Sequence, residues 1–199
     1  MATRISDQCL EVIFRQARTH VAWLNKAVPD NLLREVYDLA KFGPTSANTM
    51  PLRVVFVKSK EAKERLKPML DAGNVEKTMA APVTAIFAHD LRFYEHIPKL
   101  FPVAPQFKDI FAKPEATERA TTHAFRNATL QAGYFIIAAR ALGLDCGPMS
   151  GFDNAKVDAH FFPEGRLKSN FIMNMGYGDE TKLRPRFPRL DFDEACKIV

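Results

Sequence analysis

The sequence predicts a single domain of mixed α-helix and β-strand, and three observations favour this fold class. The chain has 199 residues, of which 47% are hydrophobic and 26% are charged, so it can bury one sizeable core. Apolar residues recur at helical spacing in several segments, whereas other segments are short and continuously apolar, as buried strands are. Gly and Pro separate these segments and mark the connections between them.

Four helices are predicted from the spacing of apolar residues. They cover, in chain order, residues 10–17, 32–40, 61–70 and 115–142. Gly43 and Gly143 follow the second and the fourth of these segments, and glycine is common just beyond the end of a helix. The last segment is the longest, so we expect it to be the central helix of the fold.

Three buried strands are predicted from runs of β-branched and aromatic residues. They cover residues 53–58, 82–88 and 171–175. The first strand leads through Ser59 into a predicted helix, and Ser is a preferred residue at a helix N-cap.

Residues 90–114 differ from the rest of the chain, because prolines interrupt a segment that is rich in aromatic residues. These residues are Pro98, Pro102, Pro105 and Pro114, and Phe93, Tyr94, Phe101, Phe107 and Phe111. So many aromatic side chains are not typical of disorder. We expect either a lid or partner-contacting arm that covers a flat ligand, or local packing onto the core.

Two loops combine Pro and Gly with short polar side chains. They are residues 43–53 (GPTSANTMPLR) and 147–153 (GPMSGFD). Such residues allow a backbone to approach a ligand closely. Two of these loops on a small chain favour a planar or polyoxygenated cofactor that is held from both sides.

Motifs of several common enzyme classes are missing. The sequence has no GxSxG, HExxH, Walker or GxGxxG motif. Its five histidines do not have metal-ligand spacing, and its three widely spaced cysteines form no CxxC pair. We therefore expect no metal site and a reduced, cytoplasmic compartment.

The charge and hydropathy patterns argue against two kinds of partner. The formal net charge is +5, but Lys and Arg are scattered and no run of five basic residues occurs, so we expect no nucleic-acid partner. The apolar stretches are shorter than the roughly 18 to 20 residues of a membrane helix, so we expect no membrane partner.

Basic residues cluster near both ends of the chain. The clusters are Arg15, Arg18 and His20, and Arg184, Arg186 and Arg189. The planar donor fork of arginine suits a phosphate. The alternative is a solvated surface, because residues so far apart in sequence need not meet.

Six short motifs resemble, in their order, those of the FMN-dependent nitroreductase family. They lie at residues 18–20 (RTH), 43–51 (GPTSANTMP), 73–74 (GN), 141–145 (ALGLD), 147–153 (GPMSGFD) and 176–179 (GYGD). The resemblance covers essentially the whole chain. Together with LKSN at residues 167–170, these motifs are most similar to the subgroup that contains the malonic semialdehyde (3-oxopropanoate) reductase of the pyrimidine-utilisation pathway.

The resemblance implies which residues hold FMN. For the phosphate it implies Arg18, Thr19, His20, Arg184 and Arg186. For the ribityl chain and the ring edge it implies Pro44, Thr45, Ser46 and Asn48. For the pyrimidine edge it implies Asn74 and Lys77, although Asn74 as a helix N-cap is the alternative. Over the ring it implies Pro148, Met149, Ser150 and Gly151, with a backbone N–H near Ser150 or Gly151 donating to flavin N5.

The resemblance also implies an assembly and an activity. Members are homodimers with both flavins at the subunit interface, so we expect one domain, residues 1–199, built as an α+β sandwich of helices and a mostly antiparallel sheet and intertwined with a second copy. NADH or NADPH reduces the flavin, and malonic semialdehyde is then reduced to 3-hydroxypropanoate. The alternatives are a broad reductase of quinones and nitro compounds, and a flavin-binding protein with little turnover. For a flat acceptor we expect walls formed by Phe93, Phe101, Phe107, Met149 and Phe152.

Overall fold

The computed structural model describes residues 3–199 of the chain. The strands are β1 (Leu52–Val57), β2 (Val83–Asp90), β3 (Asp145–Met149) and β4 (Leu167–Gly176). The α-helices are α1 (Asp7–Leu10), α2 (Asp30–Ala40), α3 (Lys60–Leu66), α4 (Ala72–Ala80), α5 (Ile97–Leu100), α6 (Thr117–Ala141), α7 (Asn154–Phe161) and α8 (Phe192–Ala195). A π-helical turn covers Glu11–Arg15, and 3-10 turns cover Ser46–Asn48, Lys67–Met69, Phe93–His96, Pro105–Ile110, Pro114–Ala116 and Glu180–Lys182.

The four strands form one antiparallel sheet in the order β1-β2-β4-β3. The central strands β2 and β4 pair along their length, with one irregularity between Phe87 and Ala88. β1 and β3 form the two edges. The loop before β1 and the loop after β3 are the two Pro- and Gly-rich loops, so they lie at opposite edges of the sheet.

Helices cover both faces of this sheet. α2 and α6 pack on one face, where the rings of Phe87 and Phe135 meet edge to face with centroids 5.2 Å apart. α3 and α7 pack on the other face around Leu66, Ile86 and Ile172. The layered α+β sandwich predicted for this chain is therefore confirmed.

The α-helices differ from the predicted segments mainly at their ends. The first predicted helix, residues 10–17, is the end of α1 continued by a π-helical turn. The predicted helix 61–70 ends as an α-helix at Leu66, because Pro68 lies in the next turn and cannot continue the hydrogen-bond pattern. The longest helix was placed correctly at 115–142 to within two residues of α6.

The two glycines predicted to end helices act differently. Gly143 has a φ of +78° and follows α6, as predicted. α2 ends at Ala40, before Gly43. A Cβ on Gly43 would lie 2.7 Å from Cγ of Tyr134 in α6, so the close approach of the loop to that helix explains the glycine.

Two elements that the sequence analysis missed bear on the candidate site. The segment 147–153 is not wholly a loop, because Asp145–Met149 forms β3. Pro148 fits there because an edge strand leaves its outer N–H positions unpaired. α4 also went unpredicted, and the N-cap alternative for Asn74 is wrong, because Asp71 is the N-cap and Asn74 lies in the first turn.

Residues 90–114 form a folded segment of short helices. Phe93 and Ile97 are fully buried and pack with Phe111 against the start of α6. This packing agrees with the local-packing alternative, and the lid or partner-contacting arm stays a prediction. The expectation that Phe93 walls a ligand slot is wrong, and so is that for Phe152, which is buried in the core between α3 and α7.

A buried carboxylate fastens this segment to the sheet. Asp90 is 1% exposed and accepts hydrogen bonds of 2.8 Å from both Arg53 and Arg166. Burial raises the pKa of Asp90, but the hydrogen bonds from Arg166 and the Arg92 N–H, together with the two guanidinium charges, lower it overall. Arg166 also donates to Glu95, which lies within the folded segment.

Candidate functional site

The backbone that follows the π-helical turn lies along the edge of the sheet beside β3. Thr19 pairs with Cys146 in a parallel bridge, and the His20 N–H donates to the Cys146 carbonyl at 3.0 Å. Trp23 then pairs with Gly178, just beyond β4. Residues 18–24 therefore form a ledge next to β3, with Arg18 at its start.

Arginines from both ends of the chain meet at Arg18. Its guanidinium donates to the Arg184 carbonyl, while Arg186 donates to two carbonyls just before Arg18 at 2.7 and 3.0 Å. Arg140, in the last turn of α6, donates to the Arg18 carbonyl. None of the four forms a salt bridge within residues 3–199. Each guanidinium has five N–H donors, so this arginine cluster keeps uncompensated positive charge and unused donors.

His20 occupies a different environment from the arginine cluster. Its side chain is 4% exposed, and its Nε2 lies 3.3 Å from Oδ1 of Asp145. The Gly178 N–H donates to the other Asp145 oxygen at 2.9 Å, and a Cβ on Gly178 would overlap the imidazole. The enclosed ring fixes the ledge against β3, and within residues 3–199 it makes no hydrogen bond to the arginine cluster.

At the far end of β3, α4 holds the loop that follows the strand. Asn74 Nδ2 donates to the Gly151 carbonyl at 2.6 Å, and the Asp71 N–H donates to the same oxygen at 3.1 Å. A Cβ on Gly151 would lie 2.5 Å from Asn74 Nδ2, so only glycine permits this approach. Neither Ser150 nor Gly151 donates its N–H to another residue of the described chain, 3–199. Asn74, Ser150 and Gly151 thus lie together with two free backbone donors.

A buried polar network supports the second half of α4. Asn174 Nδ2 and Trp23 Nε1 both donate to the Lys77 carbonyl, at 3.2 and 3.1 Å. Lys63 Nζ, on a side chain that is 5% exposed, donates to the Thr78 carbonyl at 2.6 Å. Burial lowers the pKa of Lys63 to about 8. These contacts fix the backbone of Lys77 between the ledge and β4.

The loop of residues 44–48 lies elsewhere. Its Ser46 N–H donates to Asn127 Oδ1 at 2.8 Å, and Asn48 Nδ2 donates to the Leu100 carbonyl at 2.8 Å. The loop precedes β1, and three inter-strand steps of about 4.8 Å separate β1 from β3, roughly 14 Å in all. Within one chain the structure therefore does not bring this loop to the arginine cluster or to Gly151.

Three residues in and just after this loop have a strained, left-handed backbone. Ala47, Asn48 and Met50 have φ values of 49°, 51° and 42°. Each such residue costs on the order of 1–3 kcal/mol unless its surroundings impose the conformation. The Met50 N–H donates to Thr45 Oγ1 at 3.2 Å, one of several contacts that hold the loop.

The chemistry offered by the site is cationic and rich in donors. Burial raises the pKa of the Cys146 thiol to about 12, so this thiol beside the ledge stays protonated. No group of three or more His, Cys, Asp or Glu side chains among residues 3–199 has a metal-binding arrangement. Guanidiniums without carboxylate partners at one end of β3 and free backbone N–H groups at the other suit an anionic, polyoxygenated molecule.

Two contributors to the site were not identified from the sequence. Arg140 holds the backbone of Arg18 across the sheet edge, and its position one turn before Gly143 was the available indication that a cation ends α6. Asp145 pairs with His20 only because β3 lies beside the ledge, which no local pattern shows. No helix within residues 3–199 has the length and apolar character to cross a membrane.

Curated relatives cover nearly all of the chain, and a family model covers most of it. The model described as the Nitroreductase family matches residues 14–177. A provisionally named NADH dehydrogenase/NAD(P)H nitroreductase of Burkholderia lata is 57% identical over 196 residues, covering 98% of this chain and 99% of that protein. A similarly named protein of Cupriavidus pinatubonensis is 55% identical over 194 residues, covering 98% and 99%.

Solved structures share the fold at low sequence identity. A provisionally assigned nitroreductase of Bacillus subtilis superposes with a TM-score of 0.88 at 20% identity, covering 98% of this chain and 100% of that one. One of Exiguobacterium sibiricum, solved in complex with FMN, gives 0.85 at 15% identity and covers both chains completely. The family model and the curated relatives together show that this chain belongs to the nitroreductase family.

Proposed function

We propose that this chain is an FMN-dependent NAD(P)H oxidoreductase. The observation that carries the proposal is the arginine cluster, in which Arg18, Arg140, Arg184 and Arg186 have no carboxylate partner within residues 3–199. A terminal phosphate carries a charge of about −1.5 to −2 at neutral pH and accepts hydrogen bonds from several donors at once. FMN ends in such a phosphate, so the cluster fits its charged end.

The length of β3 fits the rest of the cofactor. Cys146, beside the ledge, and Ser150, beyond the strand, are four residues apart, which corresponds to about 13 Å of extended chain. A mononucleotide laid along this edge has its phosphate at the arginine cluster and its ring at the loop after β3. Asn74 and Lys77 lie in α4, which contacts the loop after β3 through the bond from Asn74 to Gly151.

FMN supplies hydride transfer, accepting a hydride from NADH or NADPH at its N5 and giving it to an acceptor. The free N–H groups of Ser150 and Gly151 serve as donors to N5. Lys77 provides a cation for the negative charge at the pyrimidine edge. Asn74 Oδ1 accepts no hydrogen bond from the described residues 3–199, so it is available as an acceptor there. Pro148 and Met149 form the end of β3, which would hold the ring when FMN is bound.

A second copy of this chain is the partner that we propose. Phe125, Leu130 and Tyr134 are 49%, 50% and 42% exposed on one apolar groove of α6. The C-terminal tail adds exposed Phe187 and Leu190. Since the loop 44–48 lies across the sheet from the arginine cluster of its own chain, we propose that it contacts the flavin of the partner across this α6 interface.

The names of the relatives agree with this assignment. The curated relatives are named for NADH dehydrogenase and NAD(P)H nitroreductase activity, and the Exiguobacterium sibiricum structure contains FMN.

The free cysteines, Cys9, Cys146 and Cys196, favour a reducing cytoplasmic compartment.

For the acceptor we propose malonic semialdehyde, a small anion that arises in pyrimidine catabolism. An anionic acceptor requires a cation near the flavin. A cleft on the first half of α6 contains Arg119 and Arg126 together with Glu115 and Glu118, and neither arginine forms a salt bridge within residues 3–199. The cleft includes His123, whose Nε2 lies 3.0 Å from Oγ1 of Thr49, next to the loop 44–48. Arg119 lies over the Phe111 ring at 5.7 Å, which leaves Arg126 as the freer guanidinium.

Reduction of quinones and nitro compounds is the second candidate, because Phe101, Phe107 and Met149 are only partly buried and offer apolar walls to a flat acceptor. Mixing the anaerobically reduced holoprotein with malonic semialdehyde or with a benzoquinone separates the two candidates. The proposal predicts reoxidation by both, with the higher kcat/KM for the semialdehyde. Reoxidation by the quinone alone makes the broad reductase the better assignment, and failure of both leaves a flavin-binding protein.

A further inference from the structure

Three polar side chains of α6 hold the strained loop before β1. His123, Asn127 and Gln131 are spaced at i, i+4 and i+8, so they lie on one face of the helix. We call them the α6 ladder. Each contacts a different residue of the segment 46–52: His123 meets Oγ1 of Thr49 at 3.0 Å, Asn127 accepts from the Ser46 N–H at 2.8 Å, and Gln131 accepts from the Leu52 N–H at 3.1 Å.

The side chain of Asn127, the middle residue of the α6 ladder, is buried and held in one orientation. Asn127 Nδ2 donates to the His123 carbonyl at 2.9 Å, so its Oδ1 is turned toward the Ser46 N–H. Asn127 is 4% exposed and Gln131 is 3% exposed. A buried amide needs hydrogen-bond partners for both its oxygen and its nitrogen, and these partners fix its orientation. The Ser46 contact therefore imposes a direction on the chain just before Ala47 and Asn48, where φ is positive.

We propose that Asn127 is a positioning residue for the loop 44–48, and that through Ser46 it sets this loop in the conformation that binds the ribityl chain and ring edge of the flavin. The inference rests on the proposed function. Asn127 acts through the loop, since its own polar atoms are used on Ser46 and His123. His123 contributes as a neutral imidazole, because burial and the charges of Arg126 and Arg119 lower its pKa.

Two variants separate the Ser46 contact from the rest of the side chain. In Asn127→Ser the hydroxyl still donates to the carbonyl four residues earlier but is too short to accept from Ser46. In Asn127→Asp an oxygen still accepts from the Ser46 N–H, while the donation to His123 is lost. Asn170→Ser is the matched control, because Asn170 also bonds α6 through its amide, at 2.8 Å to Oγ1 of Thr129, but outside the ladder.

The experiment titrates each apoprotein with FMN and with riboflavin and follows flavin fluorescence. We expect Asn127→Ser to bind both flavins about tenfold more weakly, and Asn127→Asp and the control to stay within about threefold of wild type. Equal loss for riboflavin is expected because the loop is assigned to the ribityl chain and ring, whereas phosphate contacts affect FMN alone.

Amide hydrogen exchange of the apoproteins gives a measurement that needs no flavin. The peptide that covers residues 44–52 should exchange faster in Asn127→Ser than in Asn170→Ser or wild type, because the Ser46 N–H has lost its acceptor. A folded Asn127→Ser protein with wild-type flavin affinity, or with unchanged exchange in this peptide, overturns the inference. If Asn127→Ser does not fold, a folded Asn127→Asp protein that keeps wild-type exchange in this peptide and still loses tenfold for both flavins overturns it equally. Wild-type protein that binds neither flavin contradicts the proposed function instead.

Discussion

The guanidinium of Arg186 donates to the carbonyl oxygen of Ala17 at 3.0 Å, joining positions that are 169 residues apart in the chain. This contact places the C-terminal segment against the residue that precedes Arg18. An anion at this junction is therefore surrounded by donors from both chain ends, although each end alone provides too few.

The Arg186→Ala substitution should weaken FMN binding without affecting riboflavin. A hydrogen bond to a charged group contributes about 1.5–3 kcal/mol, so we expect the Kd for FMN to rise roughly tenfold to a hundredfold. Arg189→Ala is the matched control, because Arg189 donates only to the carbonyls of Phe187 and Pro188 in its own tail. An Arg186→Ala protein that holds FMN normally but loses riboflavin would show that the phosphate lies elsewhere.

Replacing Arg126 by Met should separate the two acceptor classes. If its guanidinium binds the acceptor carboxylate, kcat/KM for malonic semialdehyde should fall at least about tenfold, while kcat/KM for a benzoquinone should change less than about threefold. Steady-state NAD(P)H oxidation with each acceptor measures both values. Arg34→Met, an exposed arginine on α2, controls for loss of charge alone. Equal losses with both acceptors would remove Arg126 from the carboxylate site.

A Leu130→Glu substitution should dissociate the proposed dimer. Leu130 is 50% exposed on α6, so the fold should tolerate Glu, whereas burying that charge at an interface opposes association. Light scattering after size-exclusion chromatography should show a dimer for wild type and a monomer for the variant, and the monomer should lose flavin because the loop 44–48 no longer reaches the partner's site. Val103→Glu, at an 82% exposed residue outside the α6 groove, should remain dimeric. A monomeric wild type with bound flavin would refute the shared site.

The lowered pKa of Lys63 predicts that the free energy of unfolding increases with pH. Its pKa is lowered to about 8 by burial, against about 10.4 in an unfolded chain, so between these values the unfolded state binds more protons and stability increases with pH. The free energy of unfolding of wild type, relative to Lys63→Met, should therefore increase by about 2 kcal/mol between pH 7.5 and 9.5. Urea denaturation at several pH values measures this difference. A difference that does not change with pH would place the Lys63 pKa near its ordinary value.

Local patterns predicted the elements that are long and regular. α2, α6 and the central strands follow from the spacing of apolar residues, which depends on burial against one core. β3 was missed because Gly147 and Pro148 are depleted in strands, and only its place at the sheet edge makes Pro148 acceptable. Whether a strand lies at the edge or in the centre depends on the whole sheet, so a short stretch of sequence cannot show it.

The candidate site was predictable where a motif stays together in the fold. The resemblance assigns Asn74 and Gly151 to different parts of the flavin, and the fold brings them together through a hydrogen bond from the Asn74 amide to the Gly151 carbonyl, which the sequence alone could not show. The roles of Arg140 and Asp145 depend on contacts across the sheet edge, which follow from topology. His20 shares a motif with Arg18, but its ring is enclosed beside Asp145, and this contact follows from the position of the ledge next to β3.

The most direct test of the account is an anaerobic titration of the FMN-reconstituted protein with NADH, and separately with NADPH, followed by its visible absorption spectrum. The account predicts a stable flavin band after gel filtration of the reconstituted protein and complete bleaching of that band by one equivalent of at least one of the two nucleotides. A protein that retains no flavin, or a retained flavin band that neither nucleotide bleaches, would contradict the assignment as an FMN-dependent NAD(P)H oxidoreductase.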